Sequence, residues 1–274
     1  MPELPEVETI KKDLNIILRG KKITAVEILE PKTVGFLGRT FRNKIEGKII
    51  KSVGRRAKLL IMELAGGLYL VFHLKITGQL IISKAAAAPD KFTRVIFNLN
   101  NGRKLFFNDL RKFGYIKIFD KSGLEEMFKT MKYGPEPLNK DFTFKVFNSR
   151  LDKKKNAPIK PLLMDQGFIS GIGNIYAAEA CYYARIKPTR KVKTLTPKER
   201  QLLYSAIKKV LQASIKRRGT SADSYLDAHG QPGDFERFLK VYGRKGKKCF
   251  RCPGKVERIA QGGRGTFYCP KCQK

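Results

Sequence analysis

Apolar residues near the start of the chain recur at helical spacing. Val7, Ile10, Leu14, Ile17 and Leu18 fall on one stripe, Pro5 stands in the first turn and Gly20 follows the last periodic residue, so 5–18 is expected to be an amphipathic helix. From Ile23 to about Phe119 the period falls to two. Segments 23–29, 59–64, 68–74, 79–83, 94–99 and 104–107 alternate or run apolar, and Asn101-Gly102 between the last two signals a tight hairpin. The pattern predicts a β-sandwich or barrel-like domain with a helix in front. After Pro135-Glu136-Pro137 the strand signals end, and helices are expected over 142–151, 159–165, 175–184 and 197–218. The last opens on a capping box, with Thr196 at the cap and Pro197 and Glu199 following, and closes at Gly219. Residues 220–235, with Gly230, Pro232 and Gly233, read as a long loop of the kind that carries function. The alanine run 85–88 reads as a short loop, and there is no internal repeat.

At 274 residues the chain exceeds the size at which a single core stops growing. Three domains are expected: 1–134 with the strands, 135–236 with the helices and the 220–235 loop, and a cysteine-bearing hairpin over 237–274. Lysine and arginine number 57 against 24 acids, a formal charge of +33 that exceeds what solubility requires and points to a polyanion partner. A membrane is not expected, since no apolar run approaches the roughly 18 to 20 residues of a span, and the acidic N-terminus is unlike a signal peptide. Four of the five cysteines stand in a metal spacing, which argues for a reducing compartment, the cytoplasm, and for zinc in place of disulfides. Cys181, in an apolar helical stretch, reads as a small buried hydrophobe.

Cys249-x-x-Cys252 and Cys269-x-x-Cys272 enclose sixteen residues, the spacing of a four-cysteine ribbon holding one structural zinc. Between the pairs, residues 262–268 form a hairpin tip that carries one arginine, Arg264. From Lys240 to Lys274 eleven lysines and arginines accompany the single acid Glu257, a charge suited to phosphates.

At the other end, removal of Met1 turns Pro2 into a free secondary amine beside the Glu3 carboxylate. An α-amine titrates near about 7.7–8.0 against about 10.4 for lysine, so roughly a tenth of it is neutral at pH 7 and able to attack a carbon. Glu6 and Glu8 are accounted for by the dipole of the helix they open; an exposed Pro-Glu pair ahead of them is not. The turn Gly171-Ile172-Gly173-Asn174 leads into a helix and offers N–H groups and an amide to an anion, although any helix hairpin needs such a turn. The loop 108–114 is either a plain β-turn or a carrier for Arg111 and Phe113 as wedges in a base stack. Position alone gives Lys58 no distinction.

Taken together these motifs resemble bacterial formamidopyrimidine-DNA glycosylase over essentially the whole chain: 2–8 as Pro-Glu-Leu-Pro-Glu-Val-Glu, Lys58 after a glycine-arginine turn, Arg111 to Phe113, Gly171 to Tyr176 and the arginine-tipped cysteine finger, in that order. The resemblance implies an α+β multidomain fold: an N-terminal helix with a β-sandwich, a helix-two-turns-helix domain and a C-terminal zinc finger, with DNA in the cleft between them. It implies a monomeric bacterial enzyme, cytoplasmic and nucleoid-associated, acting on double-stranded DNA that carries oxidised bases or abasic sites. Pro2 would attack C1′ of a flipped oxidised purine nucleotide, Glu3 would act as acid and base at the sugar, and Lys58 would position the opened intermediate. Lys160, Asn174 and Arg264 would hold flanking phosphates, Arg111 would pair with the orphaned cytosine while Phe113 wedges the stack, and Ser221 and Tyr225 would belong to a lid over the extruded base. Ile76 stands where the family commonly places a gap-filling methionine. Three rival readings are an endonuclease VIII-like enzyme for oxidised pyrimidines, whose members typically depart from Leu4 and Glu8, a non-catalytic zinc-ribbon protein that binds damaged DNA, which gives no reason for Pro2-Glu3 with Lys58, and a generic basic RNA- or ribosome-associated protein, which would not need the glycine-asparagine turn and the finger arginine together.

Overall fold

Helix α1 (Leu4–Leu18) forms where the apolar stripe predicts it, and its first turn shows why it starts there. The Glu3 backbone N–H donates to Glu6 Oε2 at 2.8 Å while the Glu3 carboxylate accepts from the Glu6 N–H, a reciprocal capping box ahead of Pro5. The computed structural model describes residues 1–35, 38–84, 86–222 and 224–274. Ala85 of the alanine run and Asp223 of the 220–235 loop lie outside the described residues. The chain divides into two compact units, Met1–Met131 with Arg217–Asp234, and Lys132–Lys216 with Phe235–Lys274.

In the first unit, α1 is followed by β1 (Ile23–Ile28), α2 (Gly38–Ile45), β2 (Ile50–Arg56), β3 (Leu59–Leu64), β4 (Leu68–His73), β5 (Gly78–Ser83), β6 (Thr93–Leu99), β7 (Lys104–Asp109), β8 (Tyr115–Asp120) and α3 (Lys121–Met131). The strands form two antiparallel four-stranded sheets, ordered β1-β6-β7-β5 and β2-β3-β4-β8. Their apolar faces meet: Phe72 of β4 packs edge-on against Phe97 of β6, with ring centroids 6.0 Å apart, and Phe107 of β7 lies 6.4 Å from Phe72. Helix α1 buries Val7, Ile10, Leu14 and Leu18 in this same core, against β2 and β3. Each such side chain stabilises the fold by about 1.5–3 kcal/mol through removal of apolar surface from water.

Strands β2 and β8 and helices α2 and α3 were not expected. In β2, Ile-Lys-Ser-Val-Gly-Arg-Arg, only Ile50 and Val53 are buried, so its pairing with β3, from Ile50 opposite Leu64 to Arg56 opposite Leu59, makes it a strand more than its own alternation does. Helix α3 buries no residue fully and depends on its cap. Asp120 accepts from the Gly123 N–H at 2.7 Å and the Ser122 hydroxyl at 2.9 Å, bonds that hold its carboxyl below the usual carboxylate range.

The loop after the last long helix differs from expectation in its affiliation. Assigned above to the helical domain, the stretch Arg217–Asp234 belongs with the sandwich unit. The Thr220 N–H donates to Glu6 Oε1 at 2.8 Å, the Ile82 N–H donates to the Ala228 carbonyl at 2.8 Å, and Gln79 Nε2 donates to the Ser224 carbonyl. Arg218 lies between Asp13 of α1 and Asp227 of the loop, at 2.5 and 2.6 Å.

The second unit carries α4 (Phe144–Asp152), α5 (Ile159–Met164), α6 (Asn174–Tyr183) and α7 (Pro197–Lys216), then a two-stranded ribbon of β9 (Glu257–Gln261) and β10 (Arg264–Tyr268). These helices fall within about two residues of their expected spans. The capping box of α7 is present, with the Glu199 N–H donating to Thr196 Oγ1 and the Thr196 N–H to Glu199 Oε2. Helix α6 is buried almost all round. Its Glu179 carboxylate accepts the backbone N–H groups of Lys240, Val241 and Tyr242 at 2.9–3.0 Å, which fastens the segment leading into the ribbon. Gly262 and Gly263 at the ribbon tip both take positive φ, 57° and 70°, as a two-residue hairpin turn of that hand requires.

Candidate active site and nucleic-acid interface

Expected to be exposed, the Pro2-Glu3 pair is buried. Glu3 is only 2% exposed, because the capping box folds it back onto the first turn of α1, and Pro2 is likewise buried. The positive end of the helix dipole thus lies at Glu3 and Glu6, where it complements negative charge. Met1, 40% exposed, acylates the Pro2 nitrogen and holds its lone pair in an amide.

Lys58 lies in the turn between β2 and β3, where Ala57 takes a left-handed φ of 53°. Arg55 holds that turn to α1: its Nε donates to Glu8 Oε2 at 2.9 Å and its Nη1 to the Ala57 carbonyl at 2.8 Å. Burial alone would raise the Glu8 carboxyl, but the hydrogen bonds and charges of Arg55 and Lys11 outweigh it and hold Glu8 below its ordinary value. Glu8, explained above only by the helix dipole, therefore also locks the turn that carries the buried Lys58 to the helix that follows the buried Pro2-Glu3 pair.

His73, at the end of β4, drew no role from its place in the sequence. Burial first, then the charges of Lys75 and Lys58, hold its imidazole down at about 4. Its Nδ1 accepts the Lys75 N–H at 3.0 Å, so the neutral ring carries its proton on Nε2 and is a donor beside two ammonium groups. Its signal in the sequence is faint: it is one of only two histidines.

Ile76 sits half-buried in the turn between β4 and β5. Arg111 and Phe113 occupy the turn after β7, where the guanidinium lies over the Phe113 ring, 4.9 Å from its centroid. Phe113 is 52% and neighbouring Leu110 56% exposed, so two large apolar side chains stand in water on either side of an arginine. Leu110 was not singled out in the sequence. In the loop, Ser221 donates its hydroxyl to the Tyr225 carbonyl and accepts the Gly233 N–H, both at 2.8 Å. Tyr225 is an anchor in the sandwich core, with its hydroxyl donating to the Arg218 carbonyl at 3.0 Å; burial, and then the charges of Glu6 and Asp227, raise that hydroxyl far above its ordinary range. Its ring is therefore not offered at the loop surface.

The second unit brings three distant candidates together. Lys160, 1% exposed, donates to Asn174 Oδ1 at 2.6 Å, and Asn174 Nδ2 donates to the Gly265 carbonyl at 3.2 Å, next to the exposed Arg264. The buried ammonium orients the amide, and the amide holds the ribbon tip against the start of α6.

The four cysteines of the ribbon place their Sγ atoms within 4.8 Å of one another, with Cys249 to Cys272 at 3.8 Å and Cys252 to Cys269 at 3.5 Å. A tetrahedral zinc with arms of about 2.3 Å has S–S edges of about 3.8 Å, so this all-thiolate set fits one structural Zn2+. The Arg251 N–H points at Cys249 Sγ at 3.4 Å, an outer-shell bond of the kind that steadies a thiolate. Cys181 stands apart, fully buried, and burial pushes its thiol up to about 12, which leaves it unreactive.

A helix-fronted sandwich whose chain begins at a buried Pro-Glu, together with a helical unit that closes on a four-thiolate ribbon, defines the class of zinc-finger DNA glycosylases. The chain belongs to the formamidopyrimidine-DNA glycosylase family: it matches the family's N-terminal domain over residues 1–116, its H2TH domain over 133–225 and the zinc finger found in FPG and IleRS over 246–274. It is 45% identical to the formamidopyrimidine-DNA glycosylase of Pelotomaculum thermopropionicum over 100% of this chain and 99% of that protein, and 42% identical to that of Chloroflexus aurantiacus over 100% and 98%. Among solved structures it is similar to Lactococcus lactis Fpg in complex with abasic-site DNA, with a TM-score of 0.92, 34% identity and 99% of both chains covered. A variant of that protein bound to Fapy-dG containing DNA matches with a TM-score of 0.93 over 100% of both chains.

Proposed function

We propose that this protein is a base-excision repair enzyme that removes oxidised purines, 8-oxoguanine and formamidopyrimidines, from duplex DNA and then cuts the strand at the abasic site. The observation that carries the reading is the buried Pro2-Glu3 pair at the capped start of α1, held through Glu8, Arg55 and Ala57 to the turn bearing Lys58. The Lactococcus protein seen with abasic-site and Fapy-dG DNA supports the same substrate class.

Once Met1 is removed, the Pro2 nitrogen attacks C1′ of the flipped nucleotide and the purine leaves with the glycosidic electron pair, taking up the proton that the Pro2 nitrogen gives up and so freeing that nitrogen's lone pair. Opening of the sugar moves the C1′–O4′ electrons to O4′, which takes a proton from Glu3, and leaves an iminium between Pro2 and C1′. The iminium acidifies C2′, so loss of a C2′ proton expels the 3′ phosphate, and loss of a C4′ proton from the conjugated product expels the 5′ phosphate in turn. Lys58 places the opened sugar and a phosphate. Lys160, Asn174 and Arg264 hold the phosphates flanking the extruded nucleotide, Arg111 meets the orphaned cytosine, and Phe113 and Ile76 fill the stack. Ser221 and Tyr225 shape the loop over the base, Tyr225 from within the core. One zinc on Cys249, Cys252, Cys269 and Cys272 supports the ribbon that carries Arg264. Among the described residues no helix is long and apolar enough to cross a membrane, and we infer a cytoplasmic enzyme that works as a monomer on the nucleoid.

Pro2→Gly and Glu3→Gln test the assignment. Each is expected to lower base excision by a factor of about a thousand or more, of the order that loss of a catalytic nucleophile or proton donor produces, while duplex affinity by gel shift stays close to that of the unaltered chain. Lost binding with retained turnover would contradict it.

A further inference from the structure

The two turns that carry Ile76, Arg111 and Phe113 are separated by more than thirty positions in the chain, yet one carboxylate ties them together. Asp109, the last residue of β7, is 1% exposed. Its Oδ1 accepts the Thr77 hydroxyl in a short hydrogen bond and the Arg111 N–H at 3.2 Å, and its Oδ2 accepts the Gly114 N–H at 2.7 Å. Thr77 Oγ1 in turn accepts the Arg111 N–H at 3.0 Å, so the hydroxyl bridges one turn to the other. The Asp109 backbone is fixed as well: its N–H donates to the Phe92 carbonyl and its carbonyl accepts Arg94 Nε, both at 2.9 Å.

Both turns are tight. The turn before β5 returns through the Gly78 N–H donating to the Leu74 carbonyl at 2.8 Å, where a Cβ on Gly78 would lie 2.4 Å from that oxygen. Each turn holds a lysine in the left-handed region directly beside a probing side chain: Lys75, φ 51°, before Ile76, and Lys112, φ 57°, between Arg111 and Phe113. Such conformations are uphill for non-glycine residues and persist only where surrounding bonds dictate them. A buried carboxylate satisfied by three donors is a strong constraint of that sort, since hydrogen bonds to a charged group exceed neutral ones and leaving such a group unpaired is costly. In this sandwich its donors come from the two turns themselves.

We propose that Asp109 is a positioning residue for opposite-base discrimination: it locks the Ile76 turn and the Arg111–Phe113 turn into one rigid probe, touches no DNA, and sets how strictly the enzyme requires cytosine across from the lesion. The proposal rests on the reading of Ile76, Arg111 and Phe113 given under the proposed function. Asp109→Asn keeps the shape of the side chain but replaces one acceptor oxygen with a donor NH2, which opposes one of the three donors. Thr77→Val removes only the bridging hydroxyl, and Thr77→Ser restores it.

The experiment compares kcat/KM for 8-oxoguanine opposite cytosine and opposite adenine with strand cleavage at an abasic site in a single-stranded oligonucleotide, which has no opposite base to probe. Asp109→Asn is expected to shrink the cytosine-to-adenine ratio on the order of tenfold, the effect of losing one charge-assisted hydrogen bond. Thr77→Val should move the ratio in the same direction and Thr77→Ser return it to the wild-type value, with single-strand cleavage within about twofold throughout. A ratio unchanged in both Asp109→Asn and Thr77→Val would overturn the proposal. So would an equal loss of single-strand cleavage, which marks general damage to the fold. Wild-type protein inactive on both substrates would overturn the proposed function, and the role of Asp109 with it.

Discussion

His73 shows how a side chain acquires a chemical character that its sequence neighbourhood does not announce. Its imidazole titrates at about 4 in the folded protein against an ordinary 6.5, because burial and the charges of Lys75 and Lys58 oppose the cation. In the unfolded chain the ring takes a proton below about 6.5, so the stability tied to its neutral form is complete above that pH and is lost as pH falls toward about 4. The loss reaches about 3 kcal/mol, since each tenfold weakening of proton affinity is worth about 1.4 kcal/mol. Thermal unfolding between pH 7 and 4 should show it as a steeper acid decline in the wild type than in His73→Gln, and superimposable curves would contradict the assignment. At this scale, legibility tracked distance along the chain. The four cysteines announce their site because the ligands come in adjacent pairs. The contact of Lys160 with Asn174 and then Gly265 does not, since its members lie 14 and 91 residues apart. Burial of Pro2 and Glu3 was likewise hidden, because it follows from the packing around the first turn of α1 and not from the polarity of those residues.

Elements were legible where apolar spacing or a turn signal marked them. Helix α1 and the β6–β7 hairpin follow directly from apolar spacing and from Asn101-Gly102, whose glycine takes the φ of 74° that the turn needs. Strand β2 is not announced because Lys51, Arg55 and Arg56 break its alternation, and the neighbouring strand β3 supplies what its own pattern lacks. The affiliation of the 217–234 segment escaped notice for a related reason: its anchors, Glu6, Asp13, Gln79 and Ile82, are all more than a hundred residues upstream. For the ribbon, the geometry makes a direct prediction. Stripping the zinc removes the centre that joins its four knuckle cysteines, so chelation is expected to release the tip and weaken duplex binding, and Arg264→Ala is expected to weaken it on its own. Filter binding at fixed salt checks both. An affinity unchanged by either treatment would remove the ribbon from the DNA contact.

Over the whole molecule, the charge of +33 draws any polyanion and its salt dependence would be shared by every basic binder, so it does not by itself distinguish an enzyme from a passive reader of damage. The distinction lies in the start of the chain: a buried proline, a capped glutamate and a lysine turn clamped by Glu8 and Arg55, in a family whose Lactococcus member is seen with abasic-site DNA. The most direct measurement of that claim is covalent trapping. The purified chain, its N-terminus confirmed as Pro2, is incubated with a duplex carrying one 8-oxoguanine opposite cytosine, borohydride is added, and the adduct is mapped by mass spectrometry. A reduced sugar carried on the Pro2 nitrogen, absent in Pro2→Gly, is the predicted result. No adduct and no strand cleavage from a chain that begins at Pro2 would contradict the account and leave a protein that binds damaged DNA without acting on it.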